Sequence, residues 1–170
     1  MDDLKVLDGK RLLIVDDEGD ILETLRSLLD MCRIDTAVNF EDAKRLLDRQ
    51  DHDYDAAILD IMGVGGYNLL EITKEKGVPT LMLTAHALTP DDFVRSVRGG
   101  AKGYIPKEKM GDIATYVADL IRGSENNIEK HGSWFTRLRS FYERAFGSDW
   151  YTKKDEFWKE HEWLRYLDLP

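Results

Sequence analysis

Over about the first 120 positions, short runs of apolar residues alternate with longer stretches in which apolar positions recur every three or four residues. The short runs predict strands at 11–16 (RLLIVD), 34–38 (IDTAV), 55–60 (DAAILD), 78–84 (VPTLMLT) and 103–106 (GYIP). Unbroken apolar runs of this length suit strands covered on both faces. Between them the period becomes that of a helix. Ile21, Leu25, Leu28 and Leu29 share one helical face, and Ala43, Leu46 and Leu47 share another behind Asn39, a capping residue type. Thr89-Pro90 supplies a cap and a first-turn proline ahead of Phe93, Val94 and Val97. A fifth helix is expected from about Asp112, with Ile113, Tyr116, Val117, Leu120 and Ile121 inward and a stop at Gly123-Ser124. Strands and helices in this alternation predict an α/β fold, a five-stranded parallel sheet of order 2-1-3-4-5 with helices on both faces.

The pattern breaks after that unit, which spans residues 10–123. Residues 124–132 read as a linker within the polar stretch "GSENNIEKHGS", and 133–170 read as a helical hairpin. Trp134, Phe135, Leu138, Phe141, Tyr142, Ala145 and Phe146 fall on one broad helical face, with Gly147 as its end. Thr152-Lys-Lys-Asp155 has the spacing of a capping box, which predicts a second helix with Phe157, Trp158, His161, Leu164 and Leu167 inward. All four tryptophans lie in this tail. Two short helices cannot bury so much aromatic surface between themselves, so the tail must dock on its own first unit, on a second copy or on another protein.

Composition narrows the function. The 170 residues carry a net charge of -9, and residues 124–170 hold eight Lys/Arg against nine Asp/Glu, which argues against a nucleic-acid-binding output. Cys32 is the sole cysteine and sits among Leu28, Leu29 and Ile34, as a buried apolar residue would. The first ten residues lack the basic and apolar regions of a signal peptide, and no apolar stretch approaches the roughly 20 residues that span a bilayer, so a cytoplasmic location is expected.

Candidate chemistry sits at the strand ends. In the order 2-1-3-4-5 the first and third strands are neighbours, so Asp16 and Asp17 should meet Asp60 outside the carboxyl edge of the sheet, where open α/β proteins bind ligands. Such an all-oxygen set suits Mg2+, which keeps several of its waters. Thr84 and Lys107 end the fourth and fifth strands on the same edge and offer a hydroxyl and an ammonium to an anion held near Asp60.

These fragments, "VDDE", "AILDIM", "LTAHA" and "GAKGYIPK", occur in order and at strand ends, and over residues 10–123 the chain resembles the receiver domains of two-component response regulators, a flavodoxin-like fold. The resemblance implies that Asp60 accepts a phosphoryl group from a histidine kinase or phosphotransfer protein, making the chain a phosphoacceptor rather than an enzyme. It implies that Asp17, Asp60 and the backbone carbonyl of Met62 hold Mg2+, with Asp16 acting mainly through a bound water. Thr84 and Lys107 would contact the phosphoryl oxygens, and Thr84 and Tyr104 would form the switch.

The pattern also departs from the family. Val64 replaces the usual proline four residues after the phosphoacceptor, the loop there is about two residues short, the third helix (about 67–76) is short, and Glu108 replaces the proline after Lys107. "GVGGYN" lacks the Lys-Ser/Thr of a phosphate-cradling loop and is expected to be a flexible connection. His86 is a candidate for tuning the lifetime of an acyl phosphate. Two rivals share the residue types. One is a phosphohydrolase of the haloacid dehalogenase type, which lacks its second aspartate because Met62 stands in that place; the other is a receiver-like scaffold that is never phosphorylated. The expected output is a switched protein-association surface involving the aromatic tail.

Overall fold

The computed structural model describes residues 3–85, 89–126 and 133–164, and within it the five apolar runs form one parallel sheet. Its strands are β1 (Arg11–Val15), β2 (Arg33–Ala37), β3 (Ala56–Asp60), β4 (Thr80–Thr84) and β5 (Gly103–Pro106), ordered β2-β1-β3-β4-β5 as expected. Every position of β3, β4 and β5 is buried, which is why these runs show no polar alternation. β2 lies at an edge and is half-exposed. Register then sets the chemistry: Val15 lies level with Leu59, so Asp16 and Asp60 come side by side where β1 and β3 end.

The strands are followed in turn by α1 (Gly19–Leu28), α2 (Phe40–Asp48), α3 (Gly66–Glu75), α4 (Pro90–Arg98) and α5 (Ile113–Glu125). Both expected caps form. Asn39 accepts the Asp42 N–H at 2.8 Å, and Thr89 accepts the Asp92 N–H at 3.1 Å with Pro90 in the first turn. α5 starts where expected, with Asp112 at its N-cap position, but differs at its C-terminal end. A 3-10 turn over Lys107–Asp112 precedes it, and it runs through Gly123 and Ser124 to Glu125. A helical glycine costs about 1 kcal/mol, but Gly123 is buried, and tertiary packing outweighs that penalty.

The stretch expected as a linker is thus helical as far as Glu125, and residues 127–132 lie outside the described residues. Beyond them α6 (Ser133–Phe146) lies on β5 and α5, and Gly147 follows it with a φ of +85°. The tail therefore docks on the sheet of its own chain, in one continuous core with it. Phe93 of α4 is the centre of the contact, with ring centroids of Trp134, Tyr142, Trp150 and Phe157 all 5.1–5.9 Å away.

The single second helix expected from Thr152 is not found. Thr152 lies inside α7 (Trp150–Lys153), the chain turns at Lys154, and α8 (Asp155–Glu160) and a 3-10 turn at Glu162–Leu164 follow. The break has a packing reason. Trp150 packs on both Phe146, at 4.9 Å, and Phe93, and the turn brings Phe157 onto Phe93 too, beside the Arg98 guanidinium of α4. Leu167 lies outside the described residues.

Candidate functional site

A cleft of about 320 Å³ opens at the carboxyl edge of the sheet, lined by Asp17, Glu18, Asp60, Met62, Thr84, Ala85 and Lys107. The side chains come from the ends of four strands that are adjacent in space and far apart in sequence. Asp16 is 1% exposed and Asp60 5% exposed. Two buried carboxylates side by side are tolerable only with a counter-charge, and Lys107 provides it. Its Nζ lies 2.7 Å from Asp16, 3.2 Å from Glu18 and 3.4 Å from Asp60.

The charges act on one another. Burial and the field of Asp16 push the Asp60 carboxyl up to about 6, and Lys107 only partly offsets them. For Lys107, burial alone would lower the ammonium's pKa, but the contact with Asp16 and the fields of Asp60 and Asp16 raise it above the ordinary lysine value. The lysine is thus held charged, and Asp60 holds its proton more tightly than an ordinary aspartate does.

Asp16 also fixes the backbone, accepting the Glu18 N–H at 2.9 Å. Asp17 is exposed and lies against Gly63, whose φ is +81° and where any Cβ would run into the carboxylate. The turn after β3 is correspondingly tight. Gly66 opens α3 directly beneath the Asp60 carbonyl, where no side chain fits, and Val64 is buried. The glycines of "GVGG" therefore permit close backbone approach, and the flexible connection expected there is instead a packed turn. Met62 points outward, with 66% exposure.

The structure brings Asp16, Asp17, Asp60, Met62, Thr84 and Lys107 together. It does not bring Tyr104 to the cleft. Tyr104 is fully buried, edge-on to Phe93, and its backbone carbonyl accepts the Tyr142 hydroxyl. His86 lies outside the described residues. Glu18 is the residue sequence reasoning passed over. It stands one position after the acidic pair, where a capping role is the ordinary reading, yet its side chain makes no cap bond and reaches across to Lys107.

The donor set fits a hard divalent cation. Asp16, Asp17 and Glu18 present carboxylate oxygens within 4.8 Å of one another, and Lys107 is their sole close cationic partner among the described residues. Oxygen-only ligands on a partly open site suit Mg2+.

The sequence model for the response regulator receiver domain matches residues 12–118. The chain belongs to the response regulator receiver family. Its relatives include two-component response regulator ARR10 of Arabidopsis thaliana, 32% identical over 114 residues that cover 62% of this chain and 20% of that protein. DNA-binding response regulator MtrA of Mycolicibacterium smegmatis is 31% identical over 121 residues, covering 69% of this chain and 53% of MtrA. The chain thus spans between a fifth and about half of these relatives' length. A CheY-like receiver domain of Methanospirillum hungatei superposes with a TM-score of 0.63 at 25% identity, covering 71% of this chain and 99% of that one. The match to the family model ends before α6, so the aromatic tail is an addition to the receiver.

Proposed function

We propose that this receiver accepts a phosphoryl group on Asp60 from a phosphohistidine of a kinase or phosphotransfer protein, and that the resulting change switches a protein-association surface without a DNA-binding output. The observation that carries this reading is the Lys107 ammonium lying between Asp16 and Asp60 in a cleft that Thr84 also lines. In the transfer, a carboxylate oxygen of Asp60 forms a bond to phosphorus as the P–N bond breaks, and the departing imidazole takes up a proton. Asp17, Asp60 and the Met62 carbonyl would hold Mg2+, with Asp16 acting mainly through a bound water, and the ion when bound would supply positive charge against the phosphoryl oxygens. Lys107 and the Thr84 hydroxyl stabilise the same oxygens, and Asp16 keeps the lysine charged. The chain acts as acceptor rather than enzyme, because Met62 stands where a hydrolase would need an acid to protonate a leaving group.

The proposed output follows from the addition to the fold. The tail carries no excess of basic residues, and its aromatic face is spent on the α4–β5 face of the same chain. A partner would therefore meet the outer surface of the tail.

The deciding experiment is radiolabel transfer from acetyl phosphate in Mg2+. Wild type is expected to take up acid-stable, base-labile label, and Asp60→Asn none. Equal labelling of the two proteins, or labelling of neither, would remove Asp60 from this role.

A further inference from the structure

Before any phosphoryl group arrives, the ammonium of Lys107 already faces three carboxylates within 3.4 Å; the Glu18 contact is a hydrogen bond, and those to Asp16 and Asp60 are ion pairs. The three contacts are unequal. Asp16 and Asp60 are buried, with side-chain exposures of 2% and 7%, whereas Glu18 is 55% exposed at the mouth of the cleft. The ammonium also sits off-centre, nearer Asp16 and Glu18 than Asp60. Releasing Asp16 would strand a buried charge, while releasing Glu18 returns an exposed carboxylate to water at little cost.

The backbone explains why Glu18 can do this. It stands at the N-cap position of α1 but makes no side-chain cap bond. Its own N–H is held instead by Asp16, which fixes its Cα beside the cleft and leaves the carboxylate to cross to Lys107, just beyond β5.

We infer that Glu18 is a positioning residue, a displaceable counter-ion that occupies part of the Lys107 ammonium until an anion bound at Asp60 competes for it. The inference rests on the reading of Asp60 as phosphoacceptor. Glu18 thereby sets how tightly the site holds a phosphoryl group, through the lysine and not through contact with the group itself.

The test uses beryllofluoride, a phosphoryl mimic, bound to the full chain at saturating Mg2+ and followed by fluorine NMR. Glu18→Gln is expected to tighten binding by about two- to fivefold, the scale of a half-exposed ion pair. Glu18→Asp keeps the charge but is one methylene too short for the contact, and should tighten binding similarly. In a Lys107→Gln background the effect of Glu18→Gln should vanish, because its route is gone. Melting curves verify that each variant is folded, and the Glu18→Asp result stands without the Lys107 variant. Unchanged or weaker binding in Glu18→Gln overturns the inference, as does an equal gain with and without Lys107, which would mean simple charge repulsion. Wild type that binds no beryllofluoride at all would instead overturn the phosphoacceptor reading, and this inference with it.

Discussion

At the carboxyl edge of the sheet Asp16, Glu18 and Asp60 crowd around one ammonium, whereas on the α4–β5 face Trp134, Phe135, Tyr142, Trp150, Phe157 and Trp158 crowd around one phenyl ring, that of Phe93. The two regions meet on β5, a strand of four residues with Tyr104 under the rings and Lys107 immediately beyond its end. The cleft concentrates charge that folding alone would disperse, and ionised Asp60 lowers stability. The junction raises it. Each of the six tail aromatics removes roughly 150–250 Å² from water, or about 4–6 kcal/mol as an upper bound at 25 cal/mol per Å². Unpartnered indole N–H groups of Trp134, Trp150 and Trp158 and the Tyr104 hydroxyl take back about 1–3 kcal/mol each. Coupling between sites is typically only about 1–3 kcal/mol. An event at Asp60 can shift this junction, but it cannot undock the tail.

The sharpest break in the comparison is Phe93→Ala. Removing the ring at the centre of the junction should cost about 3–5 kcal/mol, more than any single change at the cleft mouth. Thermal unfolding monitored by circular dichroism measures it. A loss below about 1 kcal/mol would mean that the tail packs loosely and that the junction is not part of the core.

Next in size is Asp60→Asn, with the opposite sign. In Mg2+-free buffer the variant should be more stable than wild type by about 1–3 kcal/mol at pH 7.5, since the wild-type carboxyl is pushed up to about 6 by burial and by Asp16. For an acid whose folded pKa is raised, the native state binds the extra proton between the unfolded value near 4 and the folded one, so wild-type stability rises as pH falls through that window. The gap between the two proteins should therefore close between about pH 6 and pH 4. Added Mg2+ should narrow it at pH 7.5 by stabilising wild type preferentially. A gap constant with pH would show that Asp60 is not strained in the folded protein.

Much of this contrast was legible in the sequence. Apolar runs ending in Asp16, Asp60, Thr84 and Lys107 fix both the strands and the edge at which their polar ends converge, because parallel strands of this order leave no other arrangement. The caps at Asn39 and Thr89 were equally plain, since capping depends on residue type and local spacing. Less local facts were hidden. The contact of Glu18 with Lys107 depends on where a side chain turns after Asp16 has claimed its N–H, and nothing in "VDDE" says so. The glycines of "GVGG" look permissive in sequence, yet Gly66 is demanded by the Asp60 carbonyl above it. Periodicity identified the inward rings of the tail but not the turn at Lys154, because that turn serves a tertiary contact, the packing of both Trp150 and Phe157 on Phe93, against a local propensity that would continue the helix.

The smallest expected effect bears on whether the two regions communicate. The Tyr142 hydroxyl donates to the Tyr104 carbonyl, and Trp134 packs beside Gly103, where a Cβ would come 3.5 Å from its ring, so α6 rests on the backbone of β5 itself. Thr84 is paired with Pro106 at the other end of that strand. A displacement of Lys107 or Thr84 on anion binding should thus reach the tail through the β5 main chain. All four tryptophans lie in the tail, so intrinsic fluorescence reports on it without labelling. Beryllofluoride with Mg2+ should shift wild-type emission by a few nanometres or change its intensity. Tyr142→Phe, which removes one hydrogen bond worth about 1 kcal/mol, should at least halve that response while leaving the protein folded. Emission unchanged in wild type, with anion binding verified by fluorine NMR, would show that the cleft and the junction are neighbours on one strand without being coupled, and would direct the search for an output surface away from the tail.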